Sequence, residues 1–366
     1  MHRTPELLGN QGNPRPMIST VKFIFKGIIA LFKFPLHLMD DLTARRKSQV
    51  FKTVGLDAID PNLPILIYVH YSKSGVITER EVSTLQNAQN VGLQICLVVN
   101  LEKSQIASES WSFHHQGNSL EAQIIRKNIG WDLGAYRDAY FALKNLEKVN
   151  SQPIIFMNNS VIWFPEMIKN YFEKAIKTDA DVMAGSISNQ YRPHIQTFLF
   201  GALNPIGTAQ IEQWLGTIKN WRLKRTVVSY GEMGTSRILL SKVKSETLSP
   251  DYLLMEMGLK KIHLGFESKN NKIPYVVIKR WLRNRNFMHA GVPQNPSHDY
   301  WLEMLESGFP GIKVDLIQRN PSDILDYEIV ISKLLESGFD YKMISLLLGR
   351  NKSKSIVYKI RRSLKY

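Results

Sequence analysis

From about residue 60, continuous apolar runs alternate with runs in which apolar positions recur every three or four residues. PILIYVHY (64–71) and LQICLVVN (93–100) read as strands buried on both faces, and TEREVSTLQNAQNV between them reads as a helix. EAQIIRKN then leads into the turn KNIGWDLG, which opens an amphipathic helix, and PIIFMNNSVIWFP (153–165) is an apolar strand ending in short polar residues. Helix and strand continue through DVMAGSIS. This alternation predicts an α/β fold with a mostly parallel sheet covered by helices on both faces. Ligands of such sheets bind beyond the carboxyl ends of the strands, which directs attention to Asn158, Asn159 and Ser160. The stretch 104–120, SQIASESWSFHHQGNSL, has turn composition and interrupts the pattern.

Charge divides the chain into a body and two ends. Of the net +15, residues 1–55 carry +6 (nine Lys/Arg against three Asp/Glu) and residues 341–366 carry +8 with no acidic residue, which leaves +1 for 56–340. The basic character therefore belongs to terminal appendages suited to an anionic surface. The organisation expected is an extension at 1–55, an α/β domain at 56–325 and a basic helical extension at 326–366. The single cysteine, Cys96, lies in an apolar run without a partner, which excludes a disulfide framework or a cysteine zinc site and fits a reducing, cytoplasmic setting.

In MISTVKFIFKGIIALFKFPLHLMDDL, a helical projection brings Lys22, Lys26 and Lys33 within about 40° of one another, with apolar residues filling the rest. A cationic stripe on an apolar helix suits the plane of an anionic membrane surface. The lysines interrupt the run well short of the ~20 residues needed to span, and Pro35 would kink or end the helix. A helix packed against the protein's own surface is the other reading of this segment.

The loop after the first strand, SKSGVIT, has neither the Gly-x-Gly-x-x-Gly of a dinucleotide fold nor the Gly-Lys-Ser/Thr of a P-loop. No Gly-x-Ser-x-Gly elbow or His-Glu-x-x-His helix is present. What stands out is the turn itself. Asn128 and Asp132 flank Gly130 and Gly134, glycines that permit close backbone approach or a positive φ. Asp132 is suited to hold a ligand hydroxyl or a metal, or else to cap a helix opening at Gly134.

Five stretches in order resemble the rhamnan synthesis protein F family: the turn at 128–134, the strand ending Asn-Asn-Ser, HIQTFLF (194–200), YGEMGTS (230–236) and NPSHDYWLEMLESGFPGIKVDLIQRNP (295–321). The resemblance covers about 60–325. It implies a GT-A-like, Rossmann-like glycosyltransferase of bacterial surface-polysaccharide assembly, and the basic ends of the chain place such an enzyme peripherally on the inner face of the cell membrane. The implied reaction moves a deoxyhexose, L-rhamnose from a dTDP donor, to a lipid-linked glycan acceptor; an inverting single displacement is expected because no activated nucleophile stands out in the sequence. A catalytically inactive carbohydrate-binding scaffold of the same fold is the alternative.

For such chemistry the donor-binding residues expected are Asn128, Gly130, Asp132, Gly134, Asn158, Asn159 and Ser160, with Arg126, Lys127 and Arg137 around the turn to balance the diphosphate or, individually, to serve as exposed helix charges. Glu232, expected at a helix start, is the first candidate for the base that takes the acceptor proton, or a carboxylate favoured there by the helix dipole. His194, expected in a loop, is the second, and His298 and Asp299 are expected at the acceptor. The resemblance departs at Asn159, where related sequences have Asp. Asn158, Asn159 and Ser160 offer Mg²⁺ or Mn²⁺ no charged ligand, so the residues argue against a metal, leave Asp132 as its one candidate ligand, and predict activity that survives chelation. At the other end, FDYKMISLLLGRNKSKSIVYKIRRSLKY reads as an apolar and then a basic helix, either a second membrane-surface element or a helix-turn-helix for DNA, the latter without support from the body of the chain.

Overall fold

The computed structural model describes residues 35–72, 76–108, 122–188, 194–234, 295–299, 301–306, 308–319 and 327–340, with isolated positions at 239, 245–247, 343–344 and 347. A helical stretch at 35–43 (α1) precedes β1 (Val50–Val54) and β2 (Ile65–Tyr71). Helix α2 (Glu79–Asn90), β3 (Gln94–Leu101), α3 (Lys103–Ser108), β4 (Ala122–Lys127), α4 (Trp131–Asn145) and β5 (Ile154–Asn158) follow. Then come β6 (Val161–Trp163), α5 (Pro165–Ala175), β7 (Val182–Ala184), β8 (Ile187–Ser188), β9 (His194–Ile195), β10 (Leu199–Ala202) and α6 (Pro205–Thr217). The remaining elements include α7 (Lys224–Thr226), β11 (Ser245–Thr247), α8 (Pro296–Asp299), α9 (Trp301–Glu306), β12 (Gly311–Lys313), α10 (Val314–Arg319) and α11 (Tyr327–Glu336).

Eight strands form the main sheet in the order β1-β4-β3-β2-β5-β10-β7-β11. β4, β3, β2 and β5 are parallel, whereas β10 runs against both β5 and β7. The fold is thus a mixed, mostly parallel α/β sheet flanked by helices, as the alternation of apolar runs predicts. After β2 the chain builds β3 and β4 on one side and then returns to place β5 on the other, so the order reverses between β2 and β5. The crevice beyond the carboxyl ends of those two strands is where such a sheet takes its ligand.

Both faces of the sheet are dry. Ile65, Ile67, Val69 and Phe156 face α4 and α6, while Leu66, Tyr68, Ile155 and Met157 face α2 and α5. Across the β5–β10 pair, Phe156 and Phe200 stack with centroids 4.7 Å apart, and Tyr136 of α4 stands edge-on to both at 5.4 Å. Each such contact adds about 0.5–1.5 kcal/mol beyond burial, and together they fix α4 over the end of β5. On the other face, Thr78 and Glu81 close a reciprocal capping box at the start of α2.

The ends of the described chain join this body. β1, inside the stretch read as an extension, is an antiparallel edge strand on β4. α1 is tied down by Asp40, which accepts from the backbone N–H of Arg222 and Leu223 at 3.0 Å, and by Asp41, which accepts from Trp221 Nε1 at 2.9 Å and pairs with Lys219. α11 and Phe339 pack with Ile162, Phe164 and Trp301 in a third apolar cluster. No helix among the described residues is long and apolar enough to cross a membrane. Lys22, Lys26 and Lys33, the turn-rich stretch from 109, and the basic end from 348 lie outside the described residues.

Candidate functional site

The glycine turn is built as its sequence requires. Gly130 has φ +83° and precedes α4, and a Cβ there would lie 2.7 Å from Asn220 Oδ1. At Gly134 a Cβ would come within 3.0–3.1 Å of Ile129 O, Arg126 Nη2 and Asn220 Oδ1. One glycine therefore supplies a left-handed residue and the other a close approach. The helix begins at Trp131, a turn earlier than the capping alternative assumed, and Asp132 caps nothing. Its one hydrogen bond among the described residues is accepted by Oδ2 from Asn158 Nδ2, at 2.8 Å.

Arg126 and Arg137 are not the exposed charges expected beside a diphosphate. Arg126, next to last in β4, is fully buried: Nε pairs with Asp138 Oδ2 at 3.1 Å, Nη1 donates to Asn100 Oδ1 and Nη2 to Ile129 O. Arg137 is 3% exposed and pairs with the other Asp138 oxygen at 2.6 Å while donating to Ile218 O and Asn220 Oδ1. Placing two guanidiniums on one buried carboxylate, with most donors satisfied, makes them the frame of the turn and removes them from ligand binding. Lys127 is exposed beside them, and Asn128 Nδ2 donates to Glu102 Oε1 at 3.0 Å.

At the crevice, the three polar residues at the end of β5 hold one another and β2. Asn158 Oδ1 accepts from Ser160 N (3.0 Å) and Ser160 Oγ (2.6 Å). Asn159 turns to the other face, where its amide accepts from Tyr71 N at 3.3 Å and donates to Tyr71 O at 2.9 Å. A carboxylate could not make the second of these bonds, which gives position 159 a physical reason to be Asn. Asn158 Oδ1 thereby accepts two bonds and Asn159 Oδ1 one, and no group of three or more His, Cys, Asp or Glu among the described residues is placed to hold a metal ion. The set does not fit Mg²⁺ or Mn²⁺. On the Asn159 side an apolar cavity of about 300 Å³ opens against Thr84, Trp163, Phe339 and Met343.

The charged centre lies on the α4 face. Burial pushes the half-buried Asp132 carboxyl up to about 6; Lys224 opposes this, Glu232 adds to it, and Arg126 and Lys313 oppose it in turn. The Tyr136 hydroxyl is fully buried, and burial, then Asp132 and Glu232, hold its pKa far above the usual phenol value, with the Asn158 side chain beside it opposing them. Lys313 is drawn down by burial and back up by Glu232, Asp315 and Asp132, with Lys224 opposing them. Its Nζ sits 4.7 Å over the ring of Phe198. Lys224, Lys313, Asp315 and Tyr136 were not among the residues expected from sequence; the available signal was an inward lysine in GIKV, within a stretch already singled out.

The remaining candidates separate. Glu232 ends a π-helical turn, Val227–Glu232, and not a helix start, so no helix dipole accounts for it. Its Oε1 accepts from Thr197 N at 3.0 Å and Thr197 Oγ1 at 3.2 Å. His194 is 5% exposed in β9, paired with β8, and not in a loop. His298 lies in α8, where burial first and Lys313 second lower its pKa to about 4, against Asp315. Asp299 ends the same helix, and its side chain lies outside the described residues.

No protein-family model matches the chain, so the likeness to rhamnan synthesis protein F rests on the five stretches alone. No curated protein matches it either. Among solved structures, the glycosyltransferase GlyE of Streptococcus pneumoniae TIGR4 is similar at 14% identity and a TM-score of 0.28, over 57% of this chain. The match spans half the length of that structure.

Proposed function

We propose that the protein is a glycosyltransferase that moves a sugar from a nucleoside diphosphate donor to an acceptor hydroxyl in a single inverting displacement. The observation that carries this reading is Asp132: a carboxyl raised to about 6, bonded to Asn158 at the switch point of the sheet, beside a second carboxylate and two ammonium groups. A base with a pKa near the working pH is suited to take a hydroxyl proton as the glycosidic bond forms. In this reading Asp132 takes precedence over Glu232, whose carboxylate already accepts two bonds from Thr197 and serves to shape the sugar subsite. The Tyr136 hydroxyl lies beside the Asn158 side chain and feels both carboxylates.

The donor we assign is dTDP-L-rhamnose and the acceptor a lipid-linked glycan, on the strength of the sequence resemblance. The exposed Leu36, Met39 and Leu42 of α1, followed by exposed Arg45, Arg46 and Lys47, favour an anionic membrane surface as the place of work. The apolar cavity beside Asn159 suits the lipid end of such an acceptor. A panel of nucleotide sugars incubated with the purified chain and anionic vesicles tests the reading. Selective consumption of dTDP-L-rhamnose, with an inverted anomeric product by NMR, supports it; binding of glycans without consumption of any donor replaces it with a carbohydrate-binding scaffold.

A further inference from the structure

We infer that Lys313 and Lys224 together neutralise the diphosphate of the donor, in the role a divalent cation plays in a carboxylate-rich site, so that the reaction runs without a metal ion. This rests on the transferase reading above and names the cations of that site. Three independent placements lead to it. Lys313 is paired with Val161, and the next residue, Val314, donates its N–H to Ser160 O at 3.0 Å, so β12 is locked against the Asn158–Ser160 turn. The ammonium is held over Phe198, whose own carbonyl accepts from Asn158 N at 3.2 Å. Lys224 Nζ sits 5.9 Å over the ring of Trp131, the residue before Asp132.

The segment carrying Lys224 is braced as well. Gly130 N donates to Trp221 O at 3.1 Å and Trp131 Nε1 to Arg222 O at 3.4 Å, which fastens the segment carrying Lys224 to the glycine turn. Two ammonium groups therefore flank Asp132, one exposed and one lodged in the site, and neither closes an ion pair among the described residues. The nearby guanidiniums of Arg126 and Arg137 are spent on Asp138, and the amide oxygens of Asn158 and Asn159 are engaged. Cations aimed at developing charge in a partly dry site are worth more than they are in water.

The charge balance of the step agrees with this assignment. The acceptor oxygen forms a bond to the anomeric carbon while the bond from that carbon to the β-phosphate oxygen breaks. The electron pair stays on the phosphate, and the hydroxyl proton passes to the Asp132 carboxylate. The departing nucleoside diphosphate gains one negative charge relative to the donor, and the two ammonium groups are placed to meet it.

Calorimetric titration of dTDP into the full chain, in EDTA and in Mg²⁺, tests this with the wild type, Lys313→Met, Lys313→Arg and Lys224→Met. Met keeps the stem of Lys313 against Phe198, and Lys224 is exposed, so at least the second variant retains its fold, with circular dichroism as the check. The expected result is binding in EDTA that weakens with salt, falls about tenfold or more in each Met variant and is partly kept by Arg. Binding that requires Mg²⁺, or Met variants that bind like the wild type, would overturn the lysine assignment and leave the transferase reading standing. No binding of dTDP, UDP or GDP by the wild type in either buffer would overturn both.

Discussion

Asn158 Nδ2 and Asp132 Oδ2 lie 2.8 Å apart, and that bond joins the strand beside the switch point to the first turn of α4. It favours the charged carboxylate, whereas burial opposes it and prevails, leaving Asp132 at about 6. If Asp132 takes the acceptor proton, kcat/KM rises with unit slope up to about pH 6 and then levels. Asn158→Ala removes a bond that is stronger to the charged form, so the rising limb shifts to higher pH. Initial rates between about pH 5 and 8 for both proteins check this.

Asp132 also makes folding sensitive to pH. Its folded value of about 6 lies above the 3.8 of the unfolded chain, so between the two the native state binds more protons. Stability is therefore fully present below about 3.8 and falls as pH rises through about 6. Asp132→Asn removes that loss. Urea unfolding is expected to show the variant more stable than wild type by on the order of 1–3 kcal/mol at pH 7.5, with the gap closing towards pH 4.

Placing at 159 the Asp of the family that the sequence resembles, Asn159→Asp, is expected to harm the protein without creating a metal site. The new carboxylate would leave Tyr71 O without its donor and place a second acceptor against it. The loss is about 1–3 kcal/mol in urea unfolding. A Mg²⁺ titration of the variant should show no gain in activity.

The frame under the glycine turn is the most fragile part of the site. Asp138→Ala would leave Arg126 and Arg137 buried without their shared carboxylate, at a cost of about 3–5 kcal/mol. The variant is expected in the insoluble fraction or with a thermal midpoint far below that of the wild type. Lys127→Ala, on an exposed neighbour, should change the midpoint little.

The parallel centre of the sheet was legible because strands buried on both faces leave continuous runs such as Ile65–Val69 and Ile154–Met157, and Gly130 and Gly134 marked the turn by residue type alone. β1 was not legible, since an edge strand with four of its five residues exposed carries no hydrophobic pattern. Arg126 looked exposed because a single sequence does not reveal that Asp138, one helix later, turns back to meet it. Glu232 was placed at a helix start because the π turn that carries it leaves no mark on residue spacing. Lys313 escaped for a related reason: its meaning depends on β12 pairing with β6, a long-range contact between two three-residue strands.

The most direct test of the central claim is the rate of dTDP-L-rhamnose consumption at pH 7.5 by the wild type and by Asp132→Asn. The prediction is turnover by the wild type and a loss of about 100-fold or more in a variant that is folded and still binds the donor. Equal turnover in the two proteins would contradict it.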